Sequence, residues 1–66
     1  MRLQINGEER SFDDVGTIAA LITALGLDTR KVAVERNLEI VPRSTFAQAA
    51  LADGDRIEIV AFIGGG

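Results

Sequence analysis

Residues 53–66 read Asp-Gly-Asp-Arg-Ile-Glu-Ile-Val-Ala-Phe-Ile-Gly-Gly-Gly, and this stretch decides how a chain of 66 residues folds. Its Asp-Gly-Asp start is a turn signal. The alternation over residues 56–63 predicts the longest and most apolar strand of the chain. Glu58, Val60 and Phe62 share one face of this strand, and the other face consists of Ile57, Ile59, Ala61 and Ile63. The isoleucine face needs a cover, which the rest of the chain must supply.

The chain opens with the pattern of a β-hairpin. Residues 1–6 alternate apolar and polar side chains, as a strand with one buried face does. Asn6-Gly7 follows, the dipeptide best suited to the positive φ angles of a type I′ turn. A second strand through residues 9–12 is therefore expected to pair antiparallel with the first.

A helix of eight or nine residues follows the hairpin. Thr17 is in position to cap it, and Gly26 suits a C-terminal cap with Leu27 folding back. A helix this short is stable only when packed on a sheet. Its apolar stripe, at the spacing of one helix face, consists of Ile18, Leu21, Ile22 and Leu25.

Two more strand patterns, over residues 31–35 and 38–41, complete the order ββαββ-turn-β, and Pro42 ends the second. We therefore predict an α+β fold with a mixed sheet of four to five strands and one main helix packed on one face. Residues 1–63 form the single domain in this prediction, and residues 64–66 form a flexible glycine tail.

The segment between Pro42 and the last turn has weak periodicity. Ser44 is a candidate cap for a short helical or 3₁₀ turn over residues 45–49. Either Phe46 or Leu51 is expected to pack beneath this segment.

One helix covers only one face of a sheet, so Val60 and Phe62 are expected on the uncovered face. Single exposed apolar residues are common and need no function. Two of them on one strand that leads directly into the tail favour a docking patch. We predict a partner-binding patch made of Val60, Phe62 and Glu58.

Composition limits the possible functions. Hydrophobic residues make up 47% of the chain, which supports a core, and there is no cysteine or histidine. Thiolate and imidazole metal sites are therefore unavailable. The net charge of −3 argues against nucleic acid and anionic membranes as partners. No apolar run reaches the roughly 20 residues that span a bilayer, and no signal-peptide pattern opens the chain. We expect a soluble cytoplasmic protein.

The sequence contains no catalytic or phosphate-binding motif, so an enzyme acting alone is not expected. The unusual functional group is the carboxylate of Gly66. Joining it to AMP would activate it, and a sulfur nucleophile could then displace AMP to leave a thiocarboxylate. Gly64 and Gly65 lack a Cβ and would let a partner enzyme thread the tail into its active site. A frayed end without a role is the alternative.

The chain resembles the ubiquitin-like β-grasp family of thiamin-biosynthesis sulfur carriers, the ThiS family, over its full length. The resemblance rests on segments spread along the chain, no one of which is specific alone. Two departures are a third glycine, Gly64, and Phe46 where many members have tryptophan. The segments are Leu3-x-Ile5-Asn6-Gly7, Val34-Glu35-Arg36-Asn37, Val41-Pro42-Arg43, Asp53-Gly54-Asp55-x-Ile57-Glu58 and Gly65-Gly66.

The resemblance implies a carrier that binds no cofactor itself. A ThiF-like adenylyltransferase would activate Gly66 with ATP and Mg²⁺, and a sulfur donor such as a cysteine desulfurase would supply a persulfide. A ThiG-like thiazole synthase would then accept the sulfur. Two alternatives stay open: a sibling carrier for molybdopterin or another sulfur-requiring pathway, and a β-grasp binding module with an inert terminus.

Overall fold

The computed structural model describes residues 1–62. The described chain forms five strands, one α-helix and two short 3₁₀ helices. The strands are β1 Arg2–Ile5, β2 Glu8–Ser11, β3 Val32–Arg36, β4 Glu39–Val41 and β5 Arg56–Ala61, helix α1 is Ile18–Ala24, and the 3₁₀ helices are Thr29–Lys31 and Arg43–Thr45.

The strands form one mixed sheet in the order β2-β1-β5-β3-β4. β1 and β5 run parallel, and the hairpin pair β1–β2 and the pairs β3–β4 and β3–β5 are antiparallel. The predicted α+β class, with one helix against a mixed sheet in the order ββαββ-turn-β, is confirmed. β5 lies in the centre of the sheet although it comes last in the chain.

Several element boundaries differ from the sequence prediction by one or two residues. Lys31 ends a 3₁₀ helix instead of starting β3. Asn37 and Leu38 form the turn between β3 and β4, with φ of 51° and 71°. β3 therefore extends through Arg36, because the two-residue turn needs both positive-φ positions.

Helix α1 has the predicted caps at both ends. The Ala20 N–H donates to the Thr17 side chain at 3.2 Å. At the other end the Leu27 N–H donates to the Ile22 carbonyl at 3.0 Å, and the Gly26 N–H to the Thr23 carbonyl at 2.9 Å. These two bonds, with Gly26 at a φ of 77°, form a Schellman motif. The helix has 7 residues, slightly fewer than predicted.

The predicted cap at Ser44 is wrong. The 3₁₀ helix spans Arg43–Thr45, so Ser44 lies inside it, and Pro42 occupies the cap position without a side-chain hydrogen bond. Proline fixes φ near the value that the turn requires, so the turn begins earlier than the serine pattern suggested. Phe46 and Leu51 are both buried, which confirms the prediction that Phe46 or Leu51 packs beneath this segment.

The segment after the second 3₁₀ helix also provides hydrogen-bond acceptors for the first N–H groups of α1. The first N–H groups of a helix have no partner within the helix. Here the Ile18 N–H donates to the Ala49 carbonyl at 3.0 Å, and the Ala19 N–H donates to the Phe46 carbonyl at 2.9 Å. This irregular segment is therefore fixed by both the core and the helix terminus.

The core lies between α1 and one face of the sheet. The helix contributes three fully buried side chains, and each of β1, β3 and β5 contributes two buried ones. The opposite face of the sheet, which we call the open face, has no element over it among residues 1–62. The buried apolar residues are Leu3, Ile5, Val15, Ile18, Leu21, Ile22, Val32, Val34, Phe46, Leu51, Ile57 and Ile59.

Candidate functional site

Strand β5 positions the predicted site. It pairs with β3 over residues 57–61 and with β1 at Arg56 and Ile57, so it lies inside the sheet. Ile57 and Ile59 point into the core. Because side chains alternate along a strand, the residues between them lie on the open face. A partner can therefore contact the outward-facing side chains of β5 through that face.

The three residues of the predicted docking patch all lie outside the core. Val60 is 60% exposed and Phe62 is 53% exposed, and Glu58 is exposed as well. The Phe62 N–H donates to the Lys31 carbonyl at 2.7 Å, which holds the chain against the start of β3 one residue after β5 ends. Their role in partner binding remains a prediction.

The structure adds two residues to this patch that the sequence analysis did not select. Ala33 of β3 is the direct cross-strand partner of Val60. Ile40 of β4 is 79% exposed, and with Ala33 and Val60 it lines a shallow depression. We call Ala33, Ile40, Val60 and Phe62 the open-face patch. The alternation within residues 31–41 assigns Ala33 to the outer face, but only the strand order brings it beside Val60.

Gly64, Gly65 and Gly66, the predicted threading and attachment residues, lie outside the described residues, as does Ile63. The structure does describe the strand that leads to them. β5, which contains Val60, is held by backbone pairing to β1 at its start and to β3 over residues 57–61.

Residues 1–62 contain no group of three or more acidic side chains arranged to hold a metal ion. None of their helices has the length and apolar character needed to cross a bilayer. The only buried charged residue in this part of the chain is Asp55, and its carboxylate is fully engaged by Arg36, Asn37 and the Ala52 N–H. That carboxylate has a structural role.

A sequence model described as the ThiS family matches residues 3–66. The chain belongs to the ThiS family. The match extends from β1 through the terminal glycines, so it covers the fold and the tail together. The resemblance predicted from the sequence motifs is confirmed.

Relatives of two lengths match this ThiS-family chain. The "Sulfur carrier protein ThiS" of Bacillus subtilis is 43% identical over 65 residues, which are 97% of this chain and 98% of that protein. A "Thiazole synthase" of Paramagnetospirillum magneticum is 67% identical over 66 residues, and one of Magnetococcus marinus is 42% identical. The chain spans 20% of the length of each of these two longer relatives.

A solved structure confirms the fold of the family. The crystal structure of the thiamine biosynthesis protein ThiS from Geobacter metallireducens superposes with a TM-score of 0.83 at 33% sequence identity, and the match covers 100% of both chains. The β-grasp architecture predicted from the sequence is therefore the architecture of this family.

Proposed function

We propose that this chain is a sulfur carrier of thiamin biosynthesis that holds sulfur as a thiocarboxylate on Gly66. The observation that carries the proposal is the ThiS family match over residues 3–66, which includes the terminal diglycine. The Bacillus subtilis relative of nearly the same extent, named as a sulfur carrier, supports it. In this proposal the chain is a cosubstrate of other enzymes and not a catalyst.

The proposed chemistry takes place at one carboxylate. A Gly66 oxygen attacks the α-phosphorus of ATP and expels pyrophosphate, with Mg²⁺ on the phosphates, in the active site of a ThiF-like adenylyltransferase. The terminal sulfur of a persulfide, supplied by a donor such as a cysteine desulfurase, then attacks the acyl carbon and expels AMP. A thiol cleaves the resulting acyl disulfide, which leaves the thiocarboxylate. The use of ATP supports a cytoplasmic location.

The geometry of β5 suits this role. The open-face patch is apolar and exposed, as expected of a surface that a partner covers. Val60 of this patch lies on the strand that precedes the glycine tail, so a partner docked there would be only a few residues away from Gly64 and Gly65. In this proposal Glu58, Val60 and Phe62 bind the partner, and the glycines enter its active site.

The sulfur acceptor in this proposal is a ThiG-like thiazole synthase. Support comes from the two longer relatives, which are named thiazole synthases and contain a segment similar to this whole chain. In such a protein the carrier segment and the synthase share one polypeptide, which favours contact between them.

The test is an intact mass measurement. The proposal requires a free Gly66 carboxylate, so the mass of the protein from its source must first agree with a chain ending at Gly66. The purified chain is then incubated with ATP, Mg²⁺, the cognate adenylyltransferase, the desulfurase, cysteine and a thiol. When the desulfurase and cysteine are omitted, we expect the mass of the acyl-adenylate. When they are present, we expect the mass increase of one oxygen-to-sulfur exchange.

Two variants serve as controls for this measurement. Deletion of Gly66, or extension of the chain beyond it, is expected to abolish loading, while circular dichroism and the unfolding midpoint stay those of the wild type. Failure of the wild-type chain to gain either mass would refute the carrier proposal. Unfolding of the shortened chain would show that Gly66 supports the fold instead.

A further inference from the structure

Two glutamates face each other at the centre of the open face. Glu35 of β3 and Glu58 of β5 are direct partners in the antiparallel register, and both are exposed. Side chains directly opposite in such a pair have Cβ atoms about 5 Å apart, and like charges at this spacing destabilise the sheet. The fold therefore keeps a small electrostatic cost at this position.

Among residues 1–62 no cation offsets this pair within ion-pair distance. Lys31 precedes Glu35 by four residues, about 13 Å along an extended chain. The arginines are all engaged elsewhere: Arg2 with Glu9, Arg10 over Phe12, Arg30 with Asp28, Arg36 with Asp55, Arg43 with the Val32 carbonyl and Arg56 with the Gln4 side chain.

The acidic pair borders the apolar residues of the open-face patch. Glu35 is the cross-strand partner of Ile40, and the next pair on the open face towards the end of β5 is Ala33 with Val60. On the other side of Glu58 lies Arg56, whose guanidinium donates to the Gln4 side chain. A partner that covers the open-face patch must therefore remove water from two carboxylates. Burying charges without a counter-charge is costly, so the partner surface needs a cation at this point.

This arrangement argues against a second copy of the chain as the occupant. A twofold interface places the same patch on both sides. It would bury Glu35 and Glu58 of both copies, which puts four carboxylates in one apolar interface. The negative charges of Glu35 and Glu58 favour a different, basic partner.

We propose that Glu35 and Glu58 together receive one basic side chain, an arginine in preference to a lysine, of the thiazole synthase that docks on the open-face patch. The inference rests on the proposed function. A guanidinium is planar, has five N–H donors and is weakly hydrated, so it can pair with two carboxylates in an apolar interface. The thiazole synthase is chosen because two relatives contain this chain as one segment of that protein.

The test compares the binding of variants to the cognate thiazole synthase by calorimetry. Glu35→Gln and Glu58→Gln are each expected to weaken binding about tenfold, because the cation of the synthase keeps the other of its two carboxylates. The matched control is the double variant Glu8→Gln/Glu39→Gln, which changes the net charge as much as the double variant Glu35→Gln/Glu58→Gln but alters exposed residues outside the patch. The control is expected to bind within about twofold of the wild type.

Two further readouts separate this role from a structural one. Removing one of the facing charges is expected to raise Tm by about 2–4 °C while binding weakens. The wild-type affinity is expected to decrease as the salt concentration is raised from about 50 mM to about 300 mM. The double variant Glu35→Gln/Glu58→Gln is expected to lose part of this salt dependence. A purely structural role would lower stability and binding together.

The outcomes distinguish this inference from the proposed function. Binding that is unchanged in the Glu35→Gln and Glu58→Gln variants, or weakened equally in the control, overturns the inference and leaves the carrier proposal in place. The same holds if the patch variants weaken binding to the adenylyltransferase alone, or if the wild-type chain self-associates through the patch. A wild-type chain that neither binds the synthase nor becomes loaded with sulfur overturns both.

Discussion

Asn6 and Ile59 are joined by two hydrogen bonds between a side chain and a backbone. The Ile59 N–H donates to Asn6 Oδ1 at 2.7 Å, and Asn6 Nδ2 donates to the Ile59 carbonyl at 3.2 Å. The parallel pairing of β1 and β5 ends at Ile5 and Ile57. The Asn6 amide therefore continues the ladder after its own backbone has turned into the hairpin at a φ of 50°. It fixes the strand that leads to the tail.

Replacing Asn6 is expected to destabilise the fold in two separable steps. Asn6→Gly keeps the positive φ but removes both hydrogen bonds, and we expect a loss of about 1–2 kcal/mol in the free energy of unfolding. Asn6→Ala also places an alanine at a positive φ, and we expect this strain to lower the free energy of unfolding by about 1 kcal/mol more. Urea denaturation measures both. A glycine variant as stable as the wild type would show that the amide does not support β5.

Asp55 is expected to make stability depend on acid pH. Burial opposes its ionisation, but hydrogen bonds from Arg36, Asn37 and the Ala52 N–H outweigh it and hold the pKa of the Asp55 carboxyl below its ordinary value. The stabilisation is therefore fully present above the unfolded pKa of about 3.9 and is lost as the pH falls through the folded pKa. Asp55→Asn is expected to lower the free energy of unfolding by about 1–3 kcal/mol at neutral pH. It is also expected to flatten the acid limb, the decrease in the free energy of unfolding at acid pH.

The measurement is the free energy of unfolding from neutral pH down to about pH 2, across the unfolded pKa of an aspartate. Asp28 provides the control, because hydrogen bonds from Arg30 lower the pKa of its carboxyl to about 2, yet it lies at the surface end of a 3₁₀ helix. Asp28→Asn is expected to retain most of the acid limb. If the two variants behave alike, Asp55 is not the dominant acid-sensitive group.

Leu38 occupies a turn position that favours glycine. Its φ is 71° and its side chain is 75% exposed, so it has backbone strain with little burial in return. Leu38→Gly is expected to stabilise the fold by about 1 kcal/mol, measured by urea denaturation. Asn37→Gly is the matched control. It relieves a similar φ but removes hydrogen bonds to Asp55 and the Arg56 N–H, so we expect destabilisation.

Local signals in the sequence predicted the local structure well. Thr17 caps α1, Gly26 ends it, and Gly54 forms the turn before β5, because each depends on a few neighbouring residues. Ser44 misled because the backbone at Pro42 started the turn first.

Non-local relationships could not be predicted from single patterns. Alternation assigns Glu35 and Glu58 to outer faces, but their direct contact depends on β3 pairing with β5 in one register. Ile40 reads as an ordinary strand residue, and its exposure follows from its position on the open face opposite Glu35. Sequence thus located half of the open-face patch, and the topology supplied the other half.

Val60 and Phe62 are expected to affect partner binding more than folding. Phe62→Asp places a charge in an apolar interface and is expected to raise the KM for adenylation at least tenfold, about 1.4 kcal/mol. Val60→Thr keeps a β-branched residue in the strand and is expected to raise KM severalfold. Because both side chains are more than half exposed, the free energy of unfolding is expected to change by only about 0.5 kcal/mol.

The matched control is Ile57→Thr, which makes the same polar change on the opposite face of β5. Ile57 is fully buried, and a hydroxyl placed there has no partner, so this variant is expected to lose about 2–4 kcal/mol of stability. The contrast between faces is the decisive comparison, since all three changes lie within residues 57–62. If Phe62→Asp lowers stability as much as Ile57→Thr does, Phe62 belongs to the core and the docking assignment of the open face is wrong.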